Sequence, residues 1–170
     1  TPASEQIAVA QLEVYDGANT VEDYSRIAFG YWKDTDGDCQ NTRHEVLIAE
    51  STASIIFKGN SECSVDSGKW YDPYTDTVIT SASQLDVDHM VPLANAHRSG
   101  AWEWSQEKKH AYMNFMADQD HLIAVSKSAN RSKSDRGPEE WRPTNKDYWC
   151  EYAQNWTSIK NTWGLTVTSF

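Results

Sequence analysis

The chain has 170 residues, 39% of them hydrophobic, with eight Trp, eight Tyr and a formal net charge of −10. This length suits one domain with its own core, the aromatic content argues against disorder, and no run approaches the roughly 18 apolar residues of a membrane span. The acidic balance argues against a tight, stoichiometric DNA-binding module, because phosphate binding wants cations. The charge is unevenly spread, however. Residues 1–66 carry four Lys/Arg against twelve Asp/Glu, whereas residues 67–170 carry eleven against thirteen. Lys127, Arg131, Lys133 and Arg136 cluster with only Asp135 between them, a locally basic patch suited to weak binding and turnover.

In chain order, residues 5–29 carry helical patterning broken near Asp16-Gly17. Short strands are predicted at Ser54–Phe57 and Thr77–Thr80, separated by the turn-rich Trp70–Asp76. Leu85–Val91 alternates as a strand, and Pro92 ends it. Residues 94–117 read as two helices hinged at Ser99-Gly100, and His121–Val125 as an apolar strand. Ser126 or Ser128 can cap a short helix carrying Asn130, with Gly137-Pro138 as its stop. Asn145–Trp163 reads as an amphipathic helix. The order strand, long insertion, strand, short helix is what gives the polar residues of this region their meaning.

Those residues are Asp88-His89, His121 and Asn130-Arg131-Ser132-Lys133. Phosphodiester hydrolysis needs an activated water, charge neutralisation at the phosphate and help for the departing oxygen. His89 suits the base, its ordinary pKa of about 6.5 lying near working pH. Asp88, its neighbour in a strand, points to the other side and can hold a hard cation instead. Asn130 adds a neutral carbonyl oxygen, and two protein oxygens with several waters are typical of Mg²⁺. Lys133, one turn beyond Asn130, is expected to reach a phosphate oxygen. Singly, each residue has an ordinary explanation: a surface Asp-His pair, a buried histidine, a residue satisfying a helix start. Their combination points to a nuclease.

The strings Asp88-His89-Met90-Val91-Pro92, His121-Leu122 and Asn130-Arg131-Ser132-Lys133-Ser134-Asp135 resemble the HNH, or ββα-metal, endonucleases. Asp72-Pro73-Tyr74, Arg98-Ser99-Gly100-Ala101 and Gly137-Pro138-Glu139-Glu140-Trp141 extend the likeness to the secreted bacterial and fungal branch, over residues 34–165. The resemblance implies an α+β fold: a ββα-metal core at about 84–137, a long helical insertion between its strands, and helices before and after. Asp88 and Asn130 would be the metal ligands and His89 the base. His121 replaces the family's middle Asn, making a His-His-Asn variant in which it orients His89, contacts phosphate or protonates the leaving group. Arg43, in a Thr-Arg-x-Glu-Val-Leu string of the secreted branch, and Arg98, on the insertion, are further candidates for phosphate beside Arg131 and Lys133. A surface salt bridge is the competing account for both Arg43 and Arg98. His44, His97 and His110 have no such support, and His97 is assigned to packing.

The expected protein is one secreted nuclease domain spanning residues 1–170, a Mg²⁺- or Mn²⁺-dependent, largely sequence-nonspecific endonuclease. DNA is the expected substrate, RNA a second one that a phosphate-centred site need not reject, and products carry 5′-phosphates. Thr1-Pro2-Ala3-Ser4 reads as a mature end after signal-peptide removal or as a trimmed one. Cys39–Cys63 is the preferred disulfide because it closes a short loop. Cys150 then stays free, in a monomer, or joins two chains. Asp34, Asp36 and Asp38, with Glu45 twelfth, partly imitate a calcium loop, but Cys39 stands where that loop needs Gly. An acidic turn is therefore preferred to a structural Ca²⁺. Asn155-Trp156-Thr157 is a glycosylation acceptor in a eukaryotic host, while Asn130 is expected to be unmodified. Two rival functions are a small-substrate phosphodiesterase using the same site and a secreted, non-catalytic Ca²⁺-binding module.

Overall fold

The computed structural model describes residues 12–15 and 22–168 and mixes helices with two small antiparallel sheets, an α+β arrangement. Arg26–Phe29 is a single 3₁₀ turn ended by Gly30 at φ 83°, and Val14 bridges to Val167. The helix expected over residues 5–29 is thus absent from the described part, and its remaining positions lie outside the described residues.

Helix α1 (Thr42–Glu50) begins where the Asn41 side chain accepts from His44 N, and it buries Val46 and Leu47. Strands β1 (Ile56–Phe57), β2 (Val65–Asp72) and β3 (Thr77–Ser81) form one sheet in that order. The segment expected to be wholly turn, Trp70–Asp76, is strand as far as Asp72. Trp70 and Tyr71 pair with Ile79 and Val78, and only the four residues before Thr77 make the turn. The buried Asp72 carboxylate holds that turn, accepting from Tyr74 N at 2.9 Å and Thr75 Oγ1 at 2.6 Å.

Strands β4 (Leu85–His89) and β5 (Leu122–Ser126) form the second sheet, paired from Leu85–Ser126 through His89–Leu122. Between them run α2 (Leu93–Arg98) and α3 (Gln106–Met113), separated at Ser99-Gly100 as expected. Helix α4 (Lys127–Lys133) follows β5 directly, with Ser126 as the cap accepting from Ala129 N. It ends at Ser134, at φ 54°, before Gly137-Pro138 is reached. A 3₁₀ turn at Lys146–Tyr148 leads into α5 (Trp149–Trp163), stopped by a left-handed Gly164.

Two apolar clusters meet across β4–β5. Leu85, Val87, Leu122 and Ala124 join α1, Val65, Trp70 and Ile79 on one side. Ile123, Val125 and Ala129 join Tyr74, Met90, Tyr112, Tyr152 and Trp156 on the other. Among the described residues β5 pairs with one strand, and carboxylates finish its far edge: Glu50 accepts from Ala124 N at 3.0 Å and Asp72 from Ser126 N at 3.1 Å. No helix among the described residues is long and apolar enough to cross a membrane.

Candidate active site

Alternation along β4 sorts the site residues. Asp86 and Asp88 face α4, where Asn130 Nδ2 donates to Asp86 Oδ2 at 3.1 Å and Lys133 Nζ reaches Asp88 Oδ2 at 2.5 Å. His89 faces the other way, its ring near-parallel to the rings of Trp32 (5.3 Å) and Tyr112 (6.0 Å). At the strand end the two directions converge on one open cleft of about 480 Å³, whose walls include Arg26, Trp32, Asp88, His89, Asn130 and Asp135.

His89 Nε2 lies 3.0 Å from Met113 O, and His121 Nε2 lies 2.8 Å from Tyr112 O. A carbonyl can only accept, so both imidazoles carry their proton on Nε2 and keep Nδ1 as an acceptor. The two consecutive carbonyls sit at the end of α3, and Tyr112 O also accepts from Phe115 N at 3.5 Å. Burial, followed by the neighbouring His121, holds His89 well below the usual histidine range, against the Met113 hydrogen bond. Burial lowers His121 to about 4. Both rings are therefore neutral at physiological pH.

His121 is 1% exposed and its Nδ1 is sealed without a partner among the described residues. It packs behind His89 at 5.9 Å, and its backbone oxygen accepts from Met90 N at 3.0 Å. Of the three roles open to it, this position suits orientation and not contact with phosphate or leaving group. The Asp88 carboxyl is pushed up by burial, opposed by Lys133 and by the Tyr74 hydroxyl that donates to Oδ2 at 2.8 Å. Burial pushes the Lys133 amine down, opposed by Asp88.

The expected phosphate cations fare differently. Lys133 is corrected: it is fully buried, and its amine is spent on Asp88 Oδ2, His89 O and Met90 O. Arg43 is tied by NH2 to the Ala82 and Leu85 carbonyls. Arg98 pairs with Asp135 on the cleft rim, and Arg131 is exposed on α4 outside the lining. Arg26 lines the cleft without a sequence signal to mark it, since helical patterning over residues 5–29 gives it no particular neighbour. His97 packs as assigned, with Nε2 donating to Glu22 O.

A divalent cation fits the donor set. Asp88 Oδ1 and Asn130 Oδ1 accept no hydrogen bond from the described residues, and both residues line the same cleft. Away from the cleft, Cys39 and Cys63 form the expected disulfide, while Cys150 is free and exposed. The exposed Asp34, Asp36 and Asp38 carboxylates lie within 4.8 Å of one another. Cys39 there adopts φ 75°, a left-handed conformation that favours Gly.

Residues 42–169 match the family of GmrSD restriction endonucleases, C-terminal domain. The chain belongs to that HNH-type nuclease family. Membership makes it an endonuclease-type protein, with nucleic acid as the implied substrate. The chain is also similar to an uncharacterized secreted protein of Arthroderma benhamiae, 39% identical over 146 residues, covering 86% of this chain and 69% of that one. No solved structure matches it.

Proposed function

We propose that the protein is a secreted, metal-dependent and largely sequence-nonspecific endonuclease, a single domain built on a ββα-metal core of β4, β5 and α4. The observation that carries this reading is His89 fixed by Met113 O, with its unprotonated Nδ1 in a residue lining the same cleft as Asp88 and Asn130. Nδ1 takes a proton from water, and the hydroxide attacks phosphorus in line with the departing 3′ oxygen, leaving a 5′-phosphate. Trp32 and Tyr112 hold the imidazole plane, and His121 anchors the chain behind it. Asp88 and Asn130 would hold Mg²⁺ or Mn²⁺, which would offset charge on the phosphate and the departing oxygen. Lys133 keeps the Asp88 carboxylate oriented. DNA is the substrate and RNA a second one. Secretion is supported by the relative's description and by the disulfide. The chain acts as a monomer unless Cys150 joins two copies.

Plasmid cleavage with EDTA, Mg²⁺, Mn²⁺ or Ca²⁺, on wild type and His89→Ala, tests the reading. Metal-dependent cleavage that falls about 100- to 10,000-fold in the variant is expected. Cleavage unchanged by His89→Ala would remove the base assignment, and none with any metal would remove the nuclease.

A further inference from the structure

Two carboxylates line the cleft, Asp88 and Asp135, each already paired with a cation outside the lining, and Asp86 lies just behind Asn130. Among its lining residues Arg26 is the one cation. Of the other basic residues nearby, Lys133 is engaged in the core, Arg98 on Asp135, and Arg136 on the backbone oxygens of Ser132 and Lys133, while Arg131 is exposed on α4 outside the lining.

Arg26 is held without being consumed. Its NH1 donates to Gly30 O and contacts Met113 Sδ, both at 3.2 Å, while Nε and NH2 make no hydrogen bond among the described residues. The same Met113 supplies the carbonyl that fixes His89, so guanidinium and base are positioned from one helix end. Tyr24 lines the same wall, 40% exposed, with its ring braced by Phe29 at 6.1 Å and His97 at 5.8 Å. Both residues precede position 42, where the family match begins.

Resting on the nuclease reading, we infer that Tyr24 and Arg26 form a nucleotide subsite added to the family core. Arg26 takes a phosphate of the bound strand through its free guanidinium edge, and the Tyr24 ring stacks an unpaired base beside it. A guanidinium with two unspent donors matches phosphate oxygens in pairs, and base–aromatic stacking is tolerant of sequence.

The test uses His89→Ala protein with Mg²⁺ and a short fluorescein-labelled single-stranded oligodeoxynucleotide, with anisotropy followed across a salt series. Adding Arg26→Gln should weaken binding about 10- to 100-fold and flatten the dependence of log Kd on log salt by about 0.7. Arg26→Lys should restore the slope and only part of the affinity. Tyr24→Leu should weaken binding with the slope unchanged. Affinity and slope kept in Arg26→Gln would overturn the phosphate assignment. An unaltered Kd in Tyr24→Leu would overturn the stacking one. A wild type that cleaves normally beside a silent Arg26→Gln sinks the subsite alone. A wild type that neither binds nor cleaves sinks the nuclease reading and the subsite together.

Discussion

A lysine with no exposed surface has to meet its charge partner inside the protein, and Lys133 meets Asp88 at 2.5 Å with two backbone oxygens completing its donors. Such a pair gains little over a well-packed apolar substitute, yet removing one partner strands the other charge. Lys133→Met should therefore cost about 3–5 kcal/mol, read by urea unfolding. Lys133→Met combined with Asp88→Asn should recover much of that loss. A single variant as stable as wild type would mean that Asp88 does not rely on the amine. The direction of Lys133 was open to deduction from the sequence. Asn130 and Lys133, three apart, share one helix face, and the face that turns Asn130 to Asp86 turns Lys133 to Asp88, two residues along the same strand side. Arg26 was not deducible in this way, because Met113, the neighbour that links it to the base, comes from α3, more than eighty positions away.

At the scale of elements, β4, β5, α4 and the break at Ser99-Gly100 were legible because alternation, Pro92, Ser126 and Gly100 are local signals. α1 also carries a local cap in Asn41, but its burial depends on contacts with strands far along the chain. β2 was hidden by Trp70-Tyr71-Asp72-Pro73, where turn residues directly follow a strand paired to β3. The caps on the free edge of β5 bring a pH dependence. Glu50, largely enclosed and facing Asp120, Asp147 and Glu151 across a pocket, is raised to about 7 by burial and then by Asp120, against the Ala124 hydrogen bond. Its folded pKa exceeds the ordinary value of 4.5, so the folded state holds the proton more tightly. That contribution is fully present below about pH 4.5 and is lost as pH rises to about 7. The whole window is worth at most about 3 kcal/mol. Glu50→Gln keeps an acceptor for Ala124 N without a charge. It should raise the melting temperature at pH 8 and flatten its fall between pH 5 and 7; an unchanged profile would place the titration elsewhere.

On the scale of the whole molecule, β4–β5 is a partition between two apolar clusters, and the cleft opens at its end where residues from the 3₁₀ turn, the β4 terminus and α4 converge. The cluster on the α1 side depends on a nine-residue helix, too short to hold its shape in water by itself. The Cys39–Cys63 bond, 24 residues apart, encloses that helix and β1 in one loop. Closing such a loop restricts the unfolded chain and is worth about 3 kcal/mol. Neither cysteine lines the cleft. With the exposed Cys150 changed to Ser to prevent exchange, the Cys39→Ser/Cys63→Ser variant should melt about 5–10 °C lower. It should still cleave plasmid at a near-normal rate at 25 °C, because α1 and β1 support the partition from the side away from Arg26 and Asn130. Calorimetry beside a cleavage assay separates the outcomes. Loss of cleavage in a protein still folded at the assay temperature would show that the loop shapes the cleft itself, and an unchanged melting temperature would show that α1 is secured by its packing alone.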